Sequence, residues 1–579
     1  MVDQKWQLHV SFPGWMGKVD DSLALNAMCS FLGFHGQGYL LVKVKEEVET
    51  FKIYVNGVKI DGSLLVGKEC EVDISSIAVD GMNTLQVSNI KPYMMDAVEV
   101  FVPYPCVLAG DVEEVGINRD SLRMVENLIE ADIEHGFPSA QLAIVRNGRL
   151  VYENAWGKVN SYHPDGSRFD GLPVTVDTLY DLASVTKMFA VNYALQKLVS
   201  DGDLDLDCKV CEFLGQAFSE DAIVLEDCGF SLERIKEWKR EISIRDLLKH
   251  QAGFMADPKY SSPYLDAEKK VRNPLFAGNG ADEETREKTI EMICRTPLEY
   301  EPGSKTVYSD VDYMILGLVV ENKVGMDLDE YLKKVFCEPM GLKRMSYNPL
   351  EHGFGVEGCA ATELNGNTRD HLLDFDGYRV NTIQGQVHDE KAYYNMMGIS
   401  GHAGLFACAR DLAILASVML TGGYDRKRFF SRNVMDAFCG VKKEDAGSWG
   451  LGWWRQGDLE RPWYFGTQAS SNVIGHTGWT GSFVMIDGDR NLVIVYLTNK
   501  INTCFHDGAF DGNWYTASTY GFIPQILSIG MDSDVDVSRQ LVDLMEDMVV
   551  SSEKLIVDED HPSFQNYLAK KAVWKKMRQ

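Results

Sequence analysis

A serine and a lysine three residues apart, Ser184 and Lys187, begin a segment whose apolar residues have helical spacing over 188–199. Residues at positions i and i+3 lie on one face of a helix, so the Lys187 amine is predicted to reach the Ser184 Oγ. A serine hydroxyl is a poor nucleophile near neutral pH and needs an adjacent base, such as a desolvated lysine. At a helix N-terminus, free backbone N–H groups can also hold a developing oxyanion. The pair is therefore a candidate nucleophilic site.

The Ser-x-x-Lys spacing is weak evidence by itself. It recurs at Ser88–Lys91 and at Ser551–Lys554, and such a pair is more often an exposed helical contact than a site. The first copy differs because two further motifs follow it in the chain, Tyr308-Ser309-Asp310 and His476-Thr477-Gly478. Three elements in this order are far less expected by chance than one.

Together the three motifs resemble those of the serine β-lactamase and penicillin-binding protein superfamily, most closely its class C β-lactamase-like branch. The resemblance extends over residues 115–530 and includes the segments 138–148, 242–254, 302–303, 401–406, 479–481 and 497–499. It implies an α+β fold of the β-lactamase/transpeptidase type, in which helices and a helical lobe flank an antiparallel sheet. We assign this hydrolase domain to residues 115–555.

The resemblance also implies catalytic roles. Ser184 is expected to attack a carbonyl group and form an acyl-enzyme, while Lys187 holds it and helps to deprotonate it. Tyr308 is expected to be the second base, with its pKa lowered by nearby cations. Gly478 would let its strand approach the substrate closely, and the backbone N–H groups of Trp479 and Ser184 would form an oxyanion hole.

Asp310, His476 and Thr477 are also assigned to substrate binding. Two of these residues, His476 and Asp310, depart from the family pattern. His476 stands where many relatives have lysine, so a substrate carboxylate should be held more weakly and with pH dependence. Asp310 stands where asparagine is common. An ionised carboxylate cannot donate a hydrogen bond, and it should keep Lys187 charged. The His476 departure argues against efficient β-lactam turnover and favours an esterase or peptidase. The Asp310 departure weakens Lys187 as a base and shifts that duty to Tyr308, which leaves the deacylation mechanism open.

Residues 1–110 are predicted to form an N-terminal β-sandwich domain that precedes the hydrolase. Apolar residues alternate over 51–60 around a tight turn at Asn56–Gly57, and further short strands follow. The segment loosely resembles accessory sandwich modules of glycosidases. Exposed aromatic residues such as Trp6 or Trp15 could bind carbohydrate, but a structural module packed on the hydrolase is the stronger interpretation.

Within the hydrolase domain, the sequence predicts a helix over 122–133, strands on both sides of Asn147–Gly148, strands over 483–486 and 492–497, and a final helix over 537–550. Residues 213–238 and 257–284 are predicted insertions near the cleft. Residues 387–392 resemble a loop in relatives that act in cell-wall metabolism. They are expected either to contact the substrate at the cleft mouth or to form a solvated loop. His402 is more often a core residue than a ligand. Residues 556–579 are assigned to a C-terminal tail.

The net charge and the composition of the chain limit the kinds of partner and the compartment that we expect. The formal net charge of −28 argues against nucleic acid and anionic membranes. Residues 1–7 lack the charged start and apolar core expected of a signal peptide, and the sequence contains no apolar run of eighteen residues. The twelve cysteines, among them Cys294, Cys337 and Cys408, suit reduced buried thiols and hence a cytoplasmic protein. Cys208 and Cys211 lack a second pair that would make a zinc site convincing, even with Cys228 downstream, so no metal or cofactor is expected.

The sequence therefore predicts a serine hydrolase that acts on a small ester or a D-amino-acid peptide or amide, and a peptidoglycan fragment of the cell wall is one candidate substrate. A penicillin-binding D,D-carboxypeptidase or weak β-lactamase is the alternative enzyme. A binding or sensor protein whose acyl-enzyme does not turn over is the alternative from another class.

Overall fold

The computed structural model describes residues 5–13, 27–62, 65, 67–224, 229–440, 449–457 and 461–578. The first eight strands are β1 (Leu8–Phe12), β2 (Ala27–Gly33), β3 (Tyr39–Val44), β4 (Thr50–Val55), β5 (Val58–Lys59), β6 (Glu69–Asp73), β7 (Gly81–Lys91) and β8 (Val98–Val102). They form two antiparallel four-stranded sheets with the orders β1-β8-β3-β6 and β2-β7-β4-β5. Alternate apolar side chains of both sheets share one core, including Val42 and Val100 from one sheet and Ile53 and Leu85 from the other. The predicted β-sandwich is present.

The strands of the hydrolase follow as β9 (Leu108–Ala109), β10 (Ser139–Arg146), β11 (Arg149–Gly157), β12 (Tyr180–Asp181), β13 (Met345–Tyr347), β14 (Leu405–Ala407), β15 (Gly423–Tyr424), β16 (Lys427–Arg428), β17 (Trp454–Arg455), β18 (Ile474–Thr477), β19 (Ser482–Asp487), β20 (Leu492–Thr498), β21 (Phe505–His506) and β22 (Ala509–Phe510). Seven of them form the main sheet in the order β17-β18-β19-β20-β10-β11-β9. Its pairings are antiparallel except that of β9 with β11. The predicted strands around Asn147–Gly148 and over 483–497 are confirmed.

The helices are α1 (Arg119–Glu134), α2 (Tyr193–Asp201), α3 (Cys211–Leu214), α4 (Ala217–Glu220), α5 (Leu232–Glu241), α6 (Ile244–Leu248), α7 (Glu283–Arg295), α8 (Asp310–Val324), α9 (Leu328–Leu332), α10 (Glu338–Met340), α11 (Glu390–Met396), α12 (Ala409–Ala416), α13 (Val418–Thr421), α14 (Arg432–Phe438), α15 (Pro462–Phe465), α16 (Phe522–Leu527), α17 (Ser538–Glu553) and α18 (Pro562–Met577). π-helical stretches at Lys187–Asn192 and Lys333–Cys337 lead into α2 and α10. The helices predicted over 122–133 and 537–550 correspond to α1 and α17.

Both faces of the main sheet are covered by helices, because its central strands are apolar on both sides. Leu142 and Ile494 belong to a core beneath α1, α16, α17 and α18. Their neighbours Ala143 and Val495 belong to the larger core of the helical lobe, which contains α2, α8 and α12. The edge of this lobe meets the end of β18, and the candidate site lies there.

The predicted C-terminal tail contains a packed helix. α18 lies against α1 and α17, with Tyr567, Ala569 and Val573 buried in the core beneath the sheet. The sequence pattern did not predict this helix, because the lysines and aromatic residues of α18 do not form a continuous apolar stripe. The helix buries its lysine stems and part of its aromatic surface together.

The sandwich contacts the hydrolase through polar groups. Arg426 donates to Glu71 Oε1 at 2.7 Å and to the Tyr39 hydroxyl at 2.5 Å. Its guanidinium also lies 5.4 Å from the ring centroid of Trp6. Trp6 is thus engaged in the contact with the hydrolase, whereas Trp15 lies outside the described residues. In the part of the chain that the structure describes, no helix has the length and apolar character needed to cross a membrane.

We expect Val573→Asp to destabilise the protein by about 3 kcal/mol or more, because it places an unpaired carboxylate in the core under the sheet. The neighbouring Ala572 is exposed, so Ala572→Asp is the matched control and should change stability by less than about 0.5 kcal/mol. Urea unfolding followed by circular dichroism measures both. Equal stability of the two variants would show that α18 is not part of the folded core.

Candidate active site

Ser184 lies in a 3₁₀ turn, Ala183–Val185, which continues into the π-helical stretch and α2. Ala183 adopts a φ of +45°, a left-handed conformation that is strained for a residue with a side chain. The turn is stabilised by Asp181, whose Oδ1 accepts from the Ala183 N–H at 2.8 Å. Its Oδ2 accepts from the His388 N–H at 2.7 Å. Asp181 therefore joins the serine turn to the segment before α11.

Lys187 is fully buried, and its ammonium lies 2.9 Å from the Ser184 Oγ, as the spacing predicts. It also donates to Asp310 Oδ1 at 2.9 Å and to the His402 carbonyl at 3.2 Å. Burial by itself would lower the pKa of Lys187, but the negative charge of Asp310, with a contribution from Tyr308, raises it above its usual value. A charged lysine has three donors and no lone pair, so in this state Lys187 donates hydrogen bonds and cannot accept a proton.

Tyr308 completes the group around the serine. The Lys187 Nζ lies 4.8 Å from the centroid of its ring, and both Lys187 and Ser184 are in hydrogen-bonding contact with the phenol. The expectation of a lowered pKa is wrong, because burial raises the pKa of Tyr308 more than the charge of Lys187 lowers it. At rest the group therefore holds a charged lysine and a neutral phenol. A base arises when the group loses one proton.

Asp310 is the first residue of α8 and bridges two lysines. Its Oδ1 accepts from Lys187, and its Oδ2 lies 3.2 Å from the Nζ of Lys391. Burial alone would raise the pKa of Asp310, but the two lysine charges hold that pKa well below its usual range. The group is thus a carboxylate that only accepts hydrogen bonds, and it favours the charged form of Lys187 as the sequence predicts.

The turn between β18 and β19 is attached to the serine turn. Gly478 packs so closely that a methyl group in place of its hydrogen would lie 2.3 Å from the carbonyl oxygen of Leu182. Thr480 Oγ1 donates to the Asp181 carbonyl at 2.6 Å, and Ser482 Oγ donates to that of Leu182 at 2.7 Å. Trp479, at the tip of this turn, is 58% exposed. A glycine is required at position 478 because any side chain would separate the two turns.

His476 is buried and does not act as a fixed cation. Its Nδ1 donates to the carbonyl of Thr477 at 2.7 Å, and its ring packs 4.7 Å from Trp454 and 6.0 Å from Tyr308. Burial, with the nearby charge of Lys187, lowers the pKa of His476 to about 3. Its Nε2 has no hydrogen-bond partner among the described residues. The ring is neutral at physiological pH and offers a lone pair there, not a charge.

Residues 387–392 lie beside the site and are buried except for the partly exposed Asp389, so they do not form a solvated loop. Lys391, at the start of α11, lies 2.6 Å from Asp257 and 3.6 Å from Asp389 in addition to Asp310. Asp389 in turn contacts the Nε2 of His402 at 2.8 Å. Sequence reasoning did not connect these residues with Asp310. The only signal was the run of titratable residues at 388–391.

Among the residues that the structure describes, two groups of carboxylates and histidine have ligand atoms close enough to hold a metal ion: Asp310 with Asp389 and His402, and Glu363 with His388 and Glu390. Each already contains cationic side chains. Lys187 and Lys391 contact the first, and Arg369 bridges Glu363 and Glu390 in the second. The negative charge of the carboxylates, which would attract a metal ion, is thus balanced by lysine and arginine side chains of the protein.

The remaining predictions concern cysteines. The eleven cysteines in the described ranges are free thiols, and Cys294, Cys337 and Cys408 are buried. Cys211 Sγ lies 3.7 Å from the Arg240 carbonyl oxygen. Cys228, the third residue considered for zinc, lies outside the described residues.

Lys500 is a further cation beside the β18–β19 turn. Its side chain packs on Gly481, and its ammonium lies 5.3 Å from the ring centroid of Tyr520, whose hydroxyl donates to the Gly478 carbonyl at 3.3 Å. Burial lowers the pKa of Lys500 to about 8, so it remains mostly charged at neutral pH. Among the described residues it has no acidic partner.

Comparison with known proteins shows the family. The family model described as "Beta-lactamase" matches residues 125–508. The chain is 41% identical over 429 residues to an Escherichia coli (strain K12) protein described as "Putative D-alanyl-D-alanine carboxypeptidase", covering 72% of this chain and 93% of the relative. A Salmonella typhi protein of the same description is 40% identical over 430 residues, covering 73% and 94%. This chain therefore belongs to the β-lactamase family and is a hydrolase of that family.

A solved structure shares the fold. It is described as "EstCE1, a hydrolase with promiscuous acyltransferase activity", and it aligns with a TM-score of 0.50 and 22% identity over 72% of this chain and 99% of its own. The β-lactamase/transpeptidase-like architecture predicted from the motifs is confirmed.

His476 generates a prediction about stability at low pH. Its pKa is about 3 in the folded protein, against about 6.5 when unfolded, so the unfolded chain binds more protons as the pH falls below 6.5. The free energy of unfolding of the wild type, taken relative to that of His476→Asn, should not change with pH above pH 7. It should fall by about 2 kcal/mol between pH 7 and pH 5.

Urea unfolding of wild type and variant at the two pH values measures this difference. His163→Asn, which removes an exposed histidine, is measured alongside as the control. If the stability difference for His476→Asn is the same at both pH values, His476 takes up a proton as readily in the folded protein as in the unfolded chain.

Proposed function

We propose that this protein hydrolyses D-amino-acid peptides or amides through an acyl-enzyme on Ser184, and that a peptide ending in D-alanyl-D-alanine is a substrate. The observation that carries the proposal is the contact of the buried Lys187 ammonium with both the Ser184 Oγ and Asp310, beside the Tyr308 phenol. The relatives that are 41% and 40% identical, described as putative D-alanyl-D-alanine carboxypeptidases, support the substrate class.

In the proposed mechanism each residue has a stated role. The Ser184 Oγ forms a bond to the substrate carbonyl carbon, and its proton passes to the Tyr308 oxygen, which must first be deprotonated. Lys187 stays charged and stabilises the developing negative charge on both oxygens. The backbone N–H groups of Ser184 and Trp479 are the proposed donors to the carbonyl oxyanion. Tyr308 then gives the proton to the leaving amine as the C–N bond breaks, and water reverses the sequence to release the acid.

A second candidate is an esterase or amidase whose substrates lack a terminal carboxylate. The neutral, buried state of His476 favours it, because the position where many relatives have lysine supplies no charge. For a carboxypeptidase, Lys500 is the proposed replacement, since it flanks the turn that carries Trp479 and has no acidic partner among the described residues. The two functions therefore differ in whether Lys500 matters.

We expect Ser184→Ala to abolish acylation, with a loss of at least about 10³-fold in kcat/KM and an unchanged fold. The protein is incubated with p-nitrophenyl acetate, a D-alanyl-D-alanine peptide and a fluorescent penicillin, and turnover and intact mass are followed. Ser88→Ala is the matched control, because Ser88–Lys91 has the same spacing but lies in β7. Stable labelling without turnover would favour a sensor or penicillin-binding protein. Full activity of Ser184→Ala would overturn the proposal.

Lys500→Met separates the two candidate functions. If Lys500 binds the terminal carboxylate, the variant should lose at least about tenfold in kcat/KM for the D-alanyl-D-alanine peptide, because a charge-assisted contact is removed. Hydrolysis of the neutral ester should change by less than about twofold. Lys500→Arg should retain most peptide activity. Equal losses for both substrates would instead indicate a structural role for Lys500 at the turn.

A further inference from the structure

We propose that Lys391 is a positioning residue of the hydrolytic site: by sharing the carboxylate of Asp310 with Lys187, it limits the negative charge that Lys187 and Tyr308 experience. The inference rests on the proposed function, because it concerns the proton that Ser184 must lose.

The contacts exclude a direct role for Lys391 in substrate binding. Its side chain is 7% exposed, and three carboxylates surround its ammonium, with Asp257 at 2.6 Å, Asp310 at 3.2 Å and Asp389 at 3.6 Å. The contact with Asp257 is a hydrogen bond and the other two are ion pairs, so the ammonium is enclosed by carboxylates of the protein. Of these carboxylates, Asp310 is the one that also contacts Lys187.

The arrangement divides one charge between two cations. Asp310 offers Oδ1 to Lys187 and Oδ2 to Lys391, so each lysine screens the other from part of its charge. Without Lys391, Asp310 would act on Lys187 and Tyr308 with its full charge. A negative charge stabilises an ammonium and opposes a phenolate, and both effects disfavour loss of the proton that creates the base. The base would then form only at higher pH.

Other charged or titratable groups face this pair from every neighbouring element, and they set the background against which Lys391 acts. Around Lys391 they are Asp257, Lys259, Tyr260, Asp389 and His402, and around Lys187 they are Tyr308, Asp312, Tyr313, His250 and His476. Within the described ranges, Lys391 is the lysine that forms ion pairs with Asp310 and also with further carboxylates, those of Asp257 and Asp389.

The test is the pH dependence of kcat/KM for p-nitrophenyl acetate. In wild type the rate should rise with pH as the Ser184, Lys187 and Tyr308 group loses one proton. Lys391→Met should move this rise about one pH unit higher, with about tenfold lower activity at a fixed pH on the rise and little change on the alkaline plateau. Lys391→Arg should recover the wild-type profile.

Two further variants give the sign of the effect. Asp257→Asn removes a carboxylate that competes for Lys391, so its profile should move to lower pH. Lys259→Met is the matched control, because Lys259 contacts Asp257 but not Asp310, and its shift should be much smaller. Thermal unfolding and circular dichroism establish that each variant is folded. If Lys391→Met does not fold, the inference is still tested by whether the pH profile of Asp257→Asn moves to lower pH.

The role of Asp310 is tested by a double-mutant cycle. Lys391→Met should have little effect on the profile in an Asp310→Asn background, since the charge that it screens is gone. A purely structural role would give the same loss of activity at every pH and in both backgrounds, and that outcome would overturn the inference.

A readout independent of turnover separates this inference from the proposed function. Tyrosinate absorbance near 295 nm, taken as the difference between each protein and its Tyr308→Phe counterpart, reports the titration of Tyr308. Lys391→Met should move that titration to higher pH. If wild type shows no Ser184-dependent acylation, the proposed function fails, while this titration still supports or overturns the charge sharing. An unshifted Tyr308 titration contradicts it.

Discussion

The site depends on the burial of one ion pair, Lys187 with Asp310. A lysine ammonium is stable without water only if its donors are satisfied and its charge is balanced. Asp310 supplies the charge, and Ser184 and the His402 carbonyl supply the other acceptors. The same contacts that make the lysine stable in the core hold the serine oxygen against a cation. The contacts that stabilise the buried Lys187 are therefore also the contacts that position the reacting serine.

The surrounding structure keeps that pair in register. The Ser184 turn is strained at Ala183, and it is stabilised by Asp181 on one side and by the β18–β19 turn on the other. Asp181 also accepts from the backbone before α11, which carries Lys391. The nucleophile, its lysine and the second lysine are thus connected by short hydrogen bonds from three separate parts of the chain.

Sequence reasoning predicted the architecture and the residues nearest the serine. Periodicity identified the sandwich strands, α1 and α17, and the motif order placed Ser184, Lys187 and Asp310 together. It missed α18, whose face mixes lysine stems with aromatic rings and has no clear period. It also gave Tyr308 a lowered pKa, because motifs show which charges are near but do not show how deeply a group is buried.

What the sequence determined by itself is local: which segments form helices and strands, and which residue types meet across a single helical turn. Backbone geometry sets these relations, so Ser184 and Lys187 meet wherever that turn is placed. The tertiary structure decided the charge states. Whether Lys187 is charged, His476 neutral and Asp310 shared with Lys391 depends on desolvation and on partners distant in sequence. Only the packed chain brings these together, because electrostatic free energy depends on distance and burial.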